Sequence, residues 1–546
     1  MKLIRELMQL QEERGYLSDE TLREVSDRRR VPLYRLEGLV SFYTHFRRTP
    51  PPQEVIHVCR DVCCAMHQAD SPTGFLTGEI HEVSCLGRCD AAPAVSINDR
   101  PSSGGSSLTG GRSIAVHVDP HSDETERYST VRQFVQDLDA LKAACVDRLT
   151  AAGLKGMGGA GFPTGNKWEF VAAAALNPPV VDDFALTDED AKHPQKYVIC
   201  NADESEPGTF KDREILAQLP HLVIEGMLLA GLTIGAERGI LFIRHEYGPE
   251  RERFETELRR AQDSGVLGPN AAGSGRAFDI EVFVSPGGYI LGEETALLEC
   301  LEDKRGEPRH KPPYPGERGL WGQPTLINNV ETFALATSII HHGPDWWRAQ
   351  GKDGCSGLKF VCISGDVTNP GVFEIPVGTT VCELIEMAGG VRNGTPLKAF
   401  LPGGASSNLL PADKAATPLD FDAIRAAGSM LGTGAVIVFD ESRDLFPLAT
   451  NLVKFFRNES CGKCVPCRIG SQRAVELLEL GSTPAAQSGR SASVGVPSLL
   501  PTLQNLNATL EQTSICSLGQ VALHPILSML QHFPNELPTS NGFTVA

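Results

Sequence analysis

The segment ESCGKCVPCRIG places Cys461, Cys464 and Cys467 at a C-x2-C-x2-C spacing, and Cys516 follows much later in TSICSLGQ. Thiolates are soft ligands, and three on one tight turn with a remote fourth suit an iron–sulfur cubane. Zinc sites more often pair their cysteines in two separated units, so zinc is the weaker reading. Isolated cysteines pack as small hydrophobes, but scattered core thiols rarely fall at this strict spacing. A second thiol set stands nearer the N-terminus. HVCRDVCCAMHQAD offers Cys59 and Cys64, and SCLGRCDAAPAVSIND offers Cys85 and Cys89. Two such pairs can hold a two-iron cluster, two thiolates per iron, or a zinc ion.

A third chemical feature is the run GLKGMGGAGFPTGNKWEF, in which Gly156, Gly158 and Gly161 satisfy G-x-G-x-x-G. The usual dinucleotide fingerprint follows a strand and has an acidic residue about twenty positions on. Here the preceding LKAACVDRLTAA has a helical pattern and no such acid is in place. The ordinary Rossmann reading therefore fails its context. What survives is physical: glycines let backbone N–H groups approach a phosphate or a flat ring, and a following helix N-terminus favours negative charge.

The elements that must position these groups need several domains, because 546 residues exceed one ordinary core. Hydrophobic content is 41% and charged content 22%, the balance of a globular chain. A formal net charge of −18 argues against a nucleic-acid surface as the main partner. Fifteen cysteines with no apolar N-terminal signal segment point to metal or redox chemistry in a reducing compartment rather than to disulfides. The longest apolar stretch, LVIEGMLLAGLTIGA, is interrupted by Glu225 and is short of a bilayer span; it reads as a buried helix. LIRELMQLQEERGYLS carries apolar residues at helical spacing, and Ser18 before DETLREVSDRR reads as a helix cap.

VPLYRLEGLVSFYTHFRR, the C-x4-C of Cys59 and Cys64, and CLGRCDAAPAV together resemble the thioredoxin-like two-iron ferredoxin subunit of respiratory complex I. The module also occurs in NAD-reducing hydrogenases and formate dehydrogenases, where a small helical bundle precedes the thioredoxin-like sheet. Cys63 falls outside the family spacing and reads as a non-ligand. From about residue 135 onward, the glycine-rich run, ICNADESEPGTFKDR, GGYILGEETALLECLEDKRGEPRHKPPYPGERGLWGQPTLINNVETFA and ESCGKCVPCRIG resemble the NADH-oxidising flavoprotein subunit of complex I. The resemblance implies a [2Fe-2S] cluster on Cys59, Cys64, Cys85 and Cys89 and a [4Fe-4S] cluster on Cys461, Cys464, Cys467 and Cys516. It places Gly158, Gly159, Ala160, Gly161, Lys167, Asn201, Asp203, Tyr289, Gly292, Asn328, Asn329 and Thr332 around FMN. It gives Glu206, Glu293, Glu294, Lys311, Phe162, Phe170 and Tyr314 to the NADH site, with Glu206 and Lys167 nearest the chemistry. The residue types make sense of these roles. Aromatic faces stack on adenine, and a carboxylate such as Glu294 accepts from ribose hydroxyls and repels a 2′-phosphate, favouring NADH over NADPH. Lys167 would balance negative charge on a reduced ring.

Residues 356–445 contain alternating apolar runs about Asn369-Pro370-Gly371, a hairpin pattern, then a short helix VCELIEMA. This resembles the family's ubiquitin-like β-grasp (SLBB-type) domain, expected to act in docking and spacing, with Cys362 and Cys382 as core thiols. Beyond residue 446 the pattern is helical. The expected fold is thus α/β multidomain: a helical bundle (1–50), a thioredoxin-like domain (51–120), a linker (121–134), a Rossmann-like FMN- and NADH-binding domain (135–350), the β-grasp domain (356–445) and a helical cubane domain (446–546). RPSSGGSSLTGGR, DDFALTDEDAK and GSTPAAQSGRSASVGVP depart from the family pattern as inserted loops, and Met157 stands where many relatives carry arginine. The resemblance implies an NADH dehydrogenase: hydride passes from NADH to FMN, then single electrons pass through the clusters to a quinone-reducing, complex I-type assembly. The alternative is the diaphorase of an NAD-reducing formate dehydrogenase or hydrogenase. A scaffold without NADH oxidation and a zinc-binding regulator are rivals of other classes. Other iron–sulfur subunits are the implied partners, with cytoplasmic placement, peripheral on the inner membrane face through them and without direct membrane insertion.

Overall fold

The computed structural model describes residues 3–67, 78–102, 117–121, 123–178, 194–482 and 499–537. DDFALTDEDAK and nearly all of the other two inserted stretches lie outside these residues. The chain opens with helices Leu3–Arg14, Asp19–Arg29 and Leu33–Phe42. Ser18 caps the second as its pattern predicts, accepting from Thr21 N at 3.0 Å. A small sheet follows, ordered β2-β1-β3-β4, from β1 (Val55–Cys59), β2 (Glu79–Val83), β3 (Val95–Ile97) and β4 (Arg100–Pro101). β1 runs parallel to β2 and antiparallel to β3.

The second sheet positions the site. Its strands are β5 (Tyr197–Ala202), β6 (Arg238–Arg244), β7 (Asp279–Ser285) and β8 (Thr325–Asn329), all parallel, in the order β7-β6-β5-β8. Period-two alternation divides β5 between two cores. Tyr197 and Ile199 join the core built with the N-terminal helices, and Val198, Cys200 and Ala202 join the core under helix Pro220–Ile234. A parallel sheet covered on both faces needs such apolar strands. Helix Pro220–Ile234 is buried along its whole length, as its apolar run predicts. Its one charge, Glu225, accepts from Val131 N at 2.8 Å and lies 2.9 Å from His121 Nε2. Among the described residues no single helix is long and apolar enough to cross a membrane.

The third sheet is β10-β9-β13-β11-β12, from β9 (Leu358–Gly365), β10 (Gly371–Pro376), β11 (Leu397–Leu401), β12 (Leu410–Pro411) and β13 (Ala435–Asp440). β9 and β10 form the expected hairpin about Pro370, and β9 pairs parallel with β13. The helix Val381–Met387 carries a full capping box of Thr380 and Glu383. Cys362 is buried, but Cys382 is exposed, which corrects its reading as a core thiol. It stands on the outer face of that short helix, whose inner face is Val381, Leu384 and Ile385. The last α-helices among the described residues are Leu445–Asn458, Val465–Ser482, Leu499–Thr513, Ser517–Val521 and His524–His532.

Candidate active site and cluster ligands

Strand order sets where a ligand can enter. The chain leaves β5 for β6 on one side, and β8 returns on the other, so β5 and β8 flank a topological switch point. Open α/β sheets bind ligands in the crevice beyond the carboxyl ends of such strands. Asn201 lies near the end of β5 in register with Asn329 of β8, and both line a cavity of about 870 Å³ at that crevice. The glycine-rich run forms its floor, entered from helix Leu138–Ala152 rather than from a strand. A bridge between Lys155 and Pro163 pinches the run into a loop, closed by Gly156 N donating to Phe162 O at 2.8 Å. Gly159 and Gly161 have φ of 112° and 65°, where a side chain is strained. A Cβ at Gly158 would lie 3.2 Å from Asn329 Cβ, so the loop packs tightly on the end of β8. Met157 turns away from the cavity: it is buried, its amide donates to Thr332 Oγ1 at 2.9 Å, and its sulfur lies 3.5 Å from Lys359 Nζ.

Every flavin and nucleotide residue expected from the resemblance lines this one cavity. Phe162 and Tyr314 are 53% and 56% exposed and Phe170 is nearly as open, an unusual state for large apolar rings and one suited to stacking. Lys167 donates to Ile327 O at 3.1 Å, and burial holds its ammonium below the usual lysine range despite Glu294. Glu206 accepts from Tyr289 Oη at 2.5 Å, Ser406 N at 2.6 Å and Ser406 Oγ at 3.0 Å. Burial pushes its carboxyl up, and these donors oppose the shift. Asp203 is pushed up to about 7 by burial, against hydrogen bonds from Ser205 and Ser285. Glu293 caps helix Glu294–Leu301 through Thr295 N and Ala296 N. Its second oxygen holds Lys311 at 2.9 Å, and Glu294 holds the same ammonium at 3.1 Å.

In and behind the cavity wall lies a buried ionic cluster that no local sequence pattern discloses. Lys211 pairs with Asp212 at 2.6 Å and Glu331 at 2.9 Å, and Lys359 joins Glu331 at 3.3 Å. Asn329 is locked between Asp212 and Lys211. Burial and the nearby Asp212 push Glu204 up to about 8. The β-grasp region also supplies cavity wall through Gly403, Ser406, Gly432 and Thr433. The expectation for that region is docking and spacing alone; the glycine turns LPGGASSN and MLGTGA are the signal that points to more.

The residues present fit a bound flavin. Thr164 Oγ1 and Asn328 Oδ1 line the cavity as buried polar atoms with no partner in the protein, as ligand-facing groups should. Helix Thr164–Ala173 begins directly after the loop, presenting its N-terminus to an anion.

The same cavity has cubane residues in its wall. Cys516, Ser517, Leu518 and Val521 line it beside Tyr289. Helix Ser517–Val521 lies so close to the cysteine turn that a Cβ on Gly519 would approach Cys467 Cβ to 3.1 Å. Burial pushes the thiols of Cys467 and Cys516 up to about 11 and about 12, with Cys461 nearby raising both further. Such thiols ionise by binding a metal. Cys467 lies near Cys461 and Cys464, and Cys516 near Cys461; Cys59 lies beside Cys64 and Cys85, and Cys85 beside Cys89. Cys59, Cys64, Cys85 and Cys89 are all buried, with Cys85 and Cys89 sulfurs 3.5 Å apart. Hydrogen bonds from Cys59 and Cys89 hold the Cys85 thiol low, helped by Arg244. Cys63 lies against Cys89 and 3.4 Å from Ser364 Oγ. Backbone amides of Ala94 and Gly208 point at Cys64 and Cys89 sulfurs at 3.3 Å. Such amide–sulfur bonds surround iron–sulfur centres.

Comparison with known proteins agrees with this geometry. The family described as Nuo51 FMN-binding domain matches residues 149–337, and the NADH-ubiquinone oxidoreductase-F iron-sulfur binding region matches 447–539. The thioredoxin-like [2Fe-2S] ferredoxin family matches 1–104, and the SLBB domain 360–406. Fold and site together define an iron–sulfur flavoprotein built of these four modules. The F-type subunit, number 2, of the NADH-quinone oxidoreductase of Rhizobium meliloti (strain 1021) is 41% identical over 72% of this chain and 87% of its own. The F-type subunit of the same enzyme from Rickettsia typhi (strain ATCC VR-144 / Wilmington) is 42% identical over 73% and 89%. The crystal structure of a NAD+-reducing [NiFe]-hydrogenase in the air-oxidised state superposes with a TM-score of 0.79 at 30% identity, over 97% of this chain and 92% of that one. The chain belongs to the family of NADH-quinone oxidoreductase F-type subunits.

Proposed function

We propose that this chain is the electron-input subunit of an NADH dehydrogenase, fused to its two-iron module. One observation carries the reading: a single cavity has the glycine-rich loop on one side and Cys516 on another. FMN bound here would supply the two-electron acceptance of a hydride, leaving NAD+, and the release of its two electrons one at a time with the proton going to solvent, and the clusters held by the two cysteine sets would carry those electrons. The protein's own work is to bind, orient and exclude water. Phe162, Phe170 and Tyr314 stack the nucleotide, and Glu294 selects against a 2′-phosphate with Glu293 holding Lys311 beside it. Glu206 fixes Tyr289 and Ser406 rather than moving a proton, since its oxygens are already taken by three donors. Lys167 keeps a positive charge at the inner wall. Cys461, Cys464, Cys467 and Cys516 hold the four-iron cluster, and Cys59, Cys64, Cys85 and Cys89 the two-iron cluster.

Val465 and Ile469 stand exposed one helical turn apart beside the cubane cysteines, which supports electron exit to a partner subunit there. The chain would then sit peripherally, on the inner face of the membrane, through such partners. Anaerobic isolation with iron, sulfide and flavin quantified, then NADH-driven reduction of an artificial acceptor, tests the reading. Iron-free, zinc-containing protein without flavin would overturn it.

A second reading is the diaphorase of an NAD-linked hydrogenase or formate dehydrogenase. Coverage favours it: the hydrogenase chain spans 97% of this one, the F-type relatives 72% and 73%. Nickel or molybdenum in the isolated assembly would select it; quinone reductase activity would select the first.

A further inference from the structure

Besides the eight proposed cluster ligands, His45, Asp99 and His245 bring one ligand atom each to within 4.8 Å of one another. They come from separate segments: His45 just after helix Leu33–Phe42, Asp99 in the turn between β3 and β4, and His245 directly after β6. We propose that these three residues form a divalent-metal site of the zinc class that clamps the N-terminal module to the flavin-binding sheet.

The donor chemistry fits. Two imidazoles and one carboxylate without thiolate suit zinc, cobalt or nickel rather than an iron–sulfur centre. The two imidazole rings lie 4.5 Å apart, tilted by 45°. A tetrahedral ion with bonds of about 2.1 Å needs donors roughly 3.4 Å apart, within reach of small side-chain rotations. His245 Nδ1 is buried and makes no hydrogen bond; Glu246 Oε2, 3.4 Å away, is out of alignment with it. An orphaned buried nitrogen asks for a partner, and an ion is one.

The surroundings are built for those ligands. The backbone holds His45 by its amide, which donates to Pro286 O at 3.2 Å. Gly287 has φ of 92°, and a Cβ there would meet His245 Cε1 at 3.0 Å and Thr44 Oγ1 at 3.1 Å. A side chain at that position would fill the cradle. His57 Nδ1 lies 3.5 Å from Asp99 Oδ1, placed to orient the carboxylate as an outer-sphere partner does. Arg47 is the opposing charge, 3.7 Å from Asp99 Oδ2. Both of these contacts are long, so Asp99 keeps accepting capacity for an ion.

The test uses the whole chain with clusters and flavin loaded. Zinc chloride is titrated calorimetrically into the wild type and into a His45→Ala/His245→Ala double variant, with cluster absorbance monitored so that displaced iron is seen. The wild type should bind one more equivalent of zinc than the double variant, and zinc should raise its thermal midpoint alone. His57→Ala should bind the same equivalent about 10–100-fold more weakly, the usual cost of losing an outer-sphere partner. Zinc-edge anomalous diffraction should place the ion among the three residues. Equal stoichiometry in both proteins, or an anomalous peak only at the cysteines, overturns the site.

Discussion

The two cysteine sets offer the same chemistry in opposite settings. The four proximal cysteines are all buried and wrapped by the flavin region: Arg244 donates to Cys85 O at 2.6 Å and Arg213 to Gly87 O at 2.8 Å. Of the distal four, Cys461 and Cys464 are only half-buried, and Cys516 opens onto the flavin cavity. One centre is sealed and the other has an inner and an outer side. Of the eight cysteines only Cys516 lines the flavin cavity, so the distal centre alone has a ligand in the cavity wall. The two are not independent, because Glu459, two residues before Cys461, accepts from Ser84 Oγ and from Tyr289 N at 2.8 Å. That single carboxylate ties the loop beside Cys85 to the cavity wall and to the cubane turn.

The largest effect should break the sealed side alone. Arg244→Gln removes a buried guanidinium that is held by Glu246 at 2.7 Å and that donates to Cys85 O. The expected cost is about 3–5 kcal/mol, read as lost two-iron spectroscopic signal with the four-iron signal retained. Loss of both signals together would erase the distinction between the regions.

A pH series probes the cavity between them. Burial raises Asp203 from its ordinary value to about 7, so the folded state holds a proton that the unfolded chain releases at about pH 4. Its contribution to stability is therefore present at low pH and falls as pH rises towards 7, by up to about 1.4 kcal/mol per pH unit. In Asp203→Asn the fall in thermal midpoint between about pH 5 and 7 should flatten. An unchanged slope would assign it to other groups. Glu206→Ala removes charge-assisted hydrogen bonds from Tyr289 and Ser406 and should cost about 2 kcal/mol, with flavin retention reduced and cluster content intact. Glu294→Gln is the finest test. It frees Lys311 from one of two carboxylates and should narrow the preference for NADH over NADPH roughly tenfold, about 1.4 kcal/mol; an unaltered ratio would contradict the ribose contact.

Much of this is legible in the sequence because the chemistry sits in local strings. C-x2-C-x2-C and the glycine run carry their ligands and turns within a few residues, and the cap at Ser18 is visible from its neighbours. What is not legible comes from distance along the chain. Lys211 and Glu331 are over a hundred residues apart and meet only because β5 and β8 are adjacent in the sheet. The contribution of Ser406 and Gly432 to the cavity needs the β-grasp region folded against the loop after β5, which periodicity does not encode. Cys382 escapes for a simpler reason: a short amphipathic helix has two faces, and one thiol gives no phase.

On the proposed reading, electrons leave the cavity through the cubane and not through the buried two-iron centre. Rapid mixing of NADH with Cys516→Ser and with Cys85→Ser, following flavin absorbance and acceptor reduction together, tests it most directly. Flavin should bleach at the wild-type rate in both, with acceptor reduction lost in Cys516→Ser and kept in Cys85→Ser. Acceptor reduction that survives loss of the four-iron cluster but fails with loss of the two-iron cluster would contradict it.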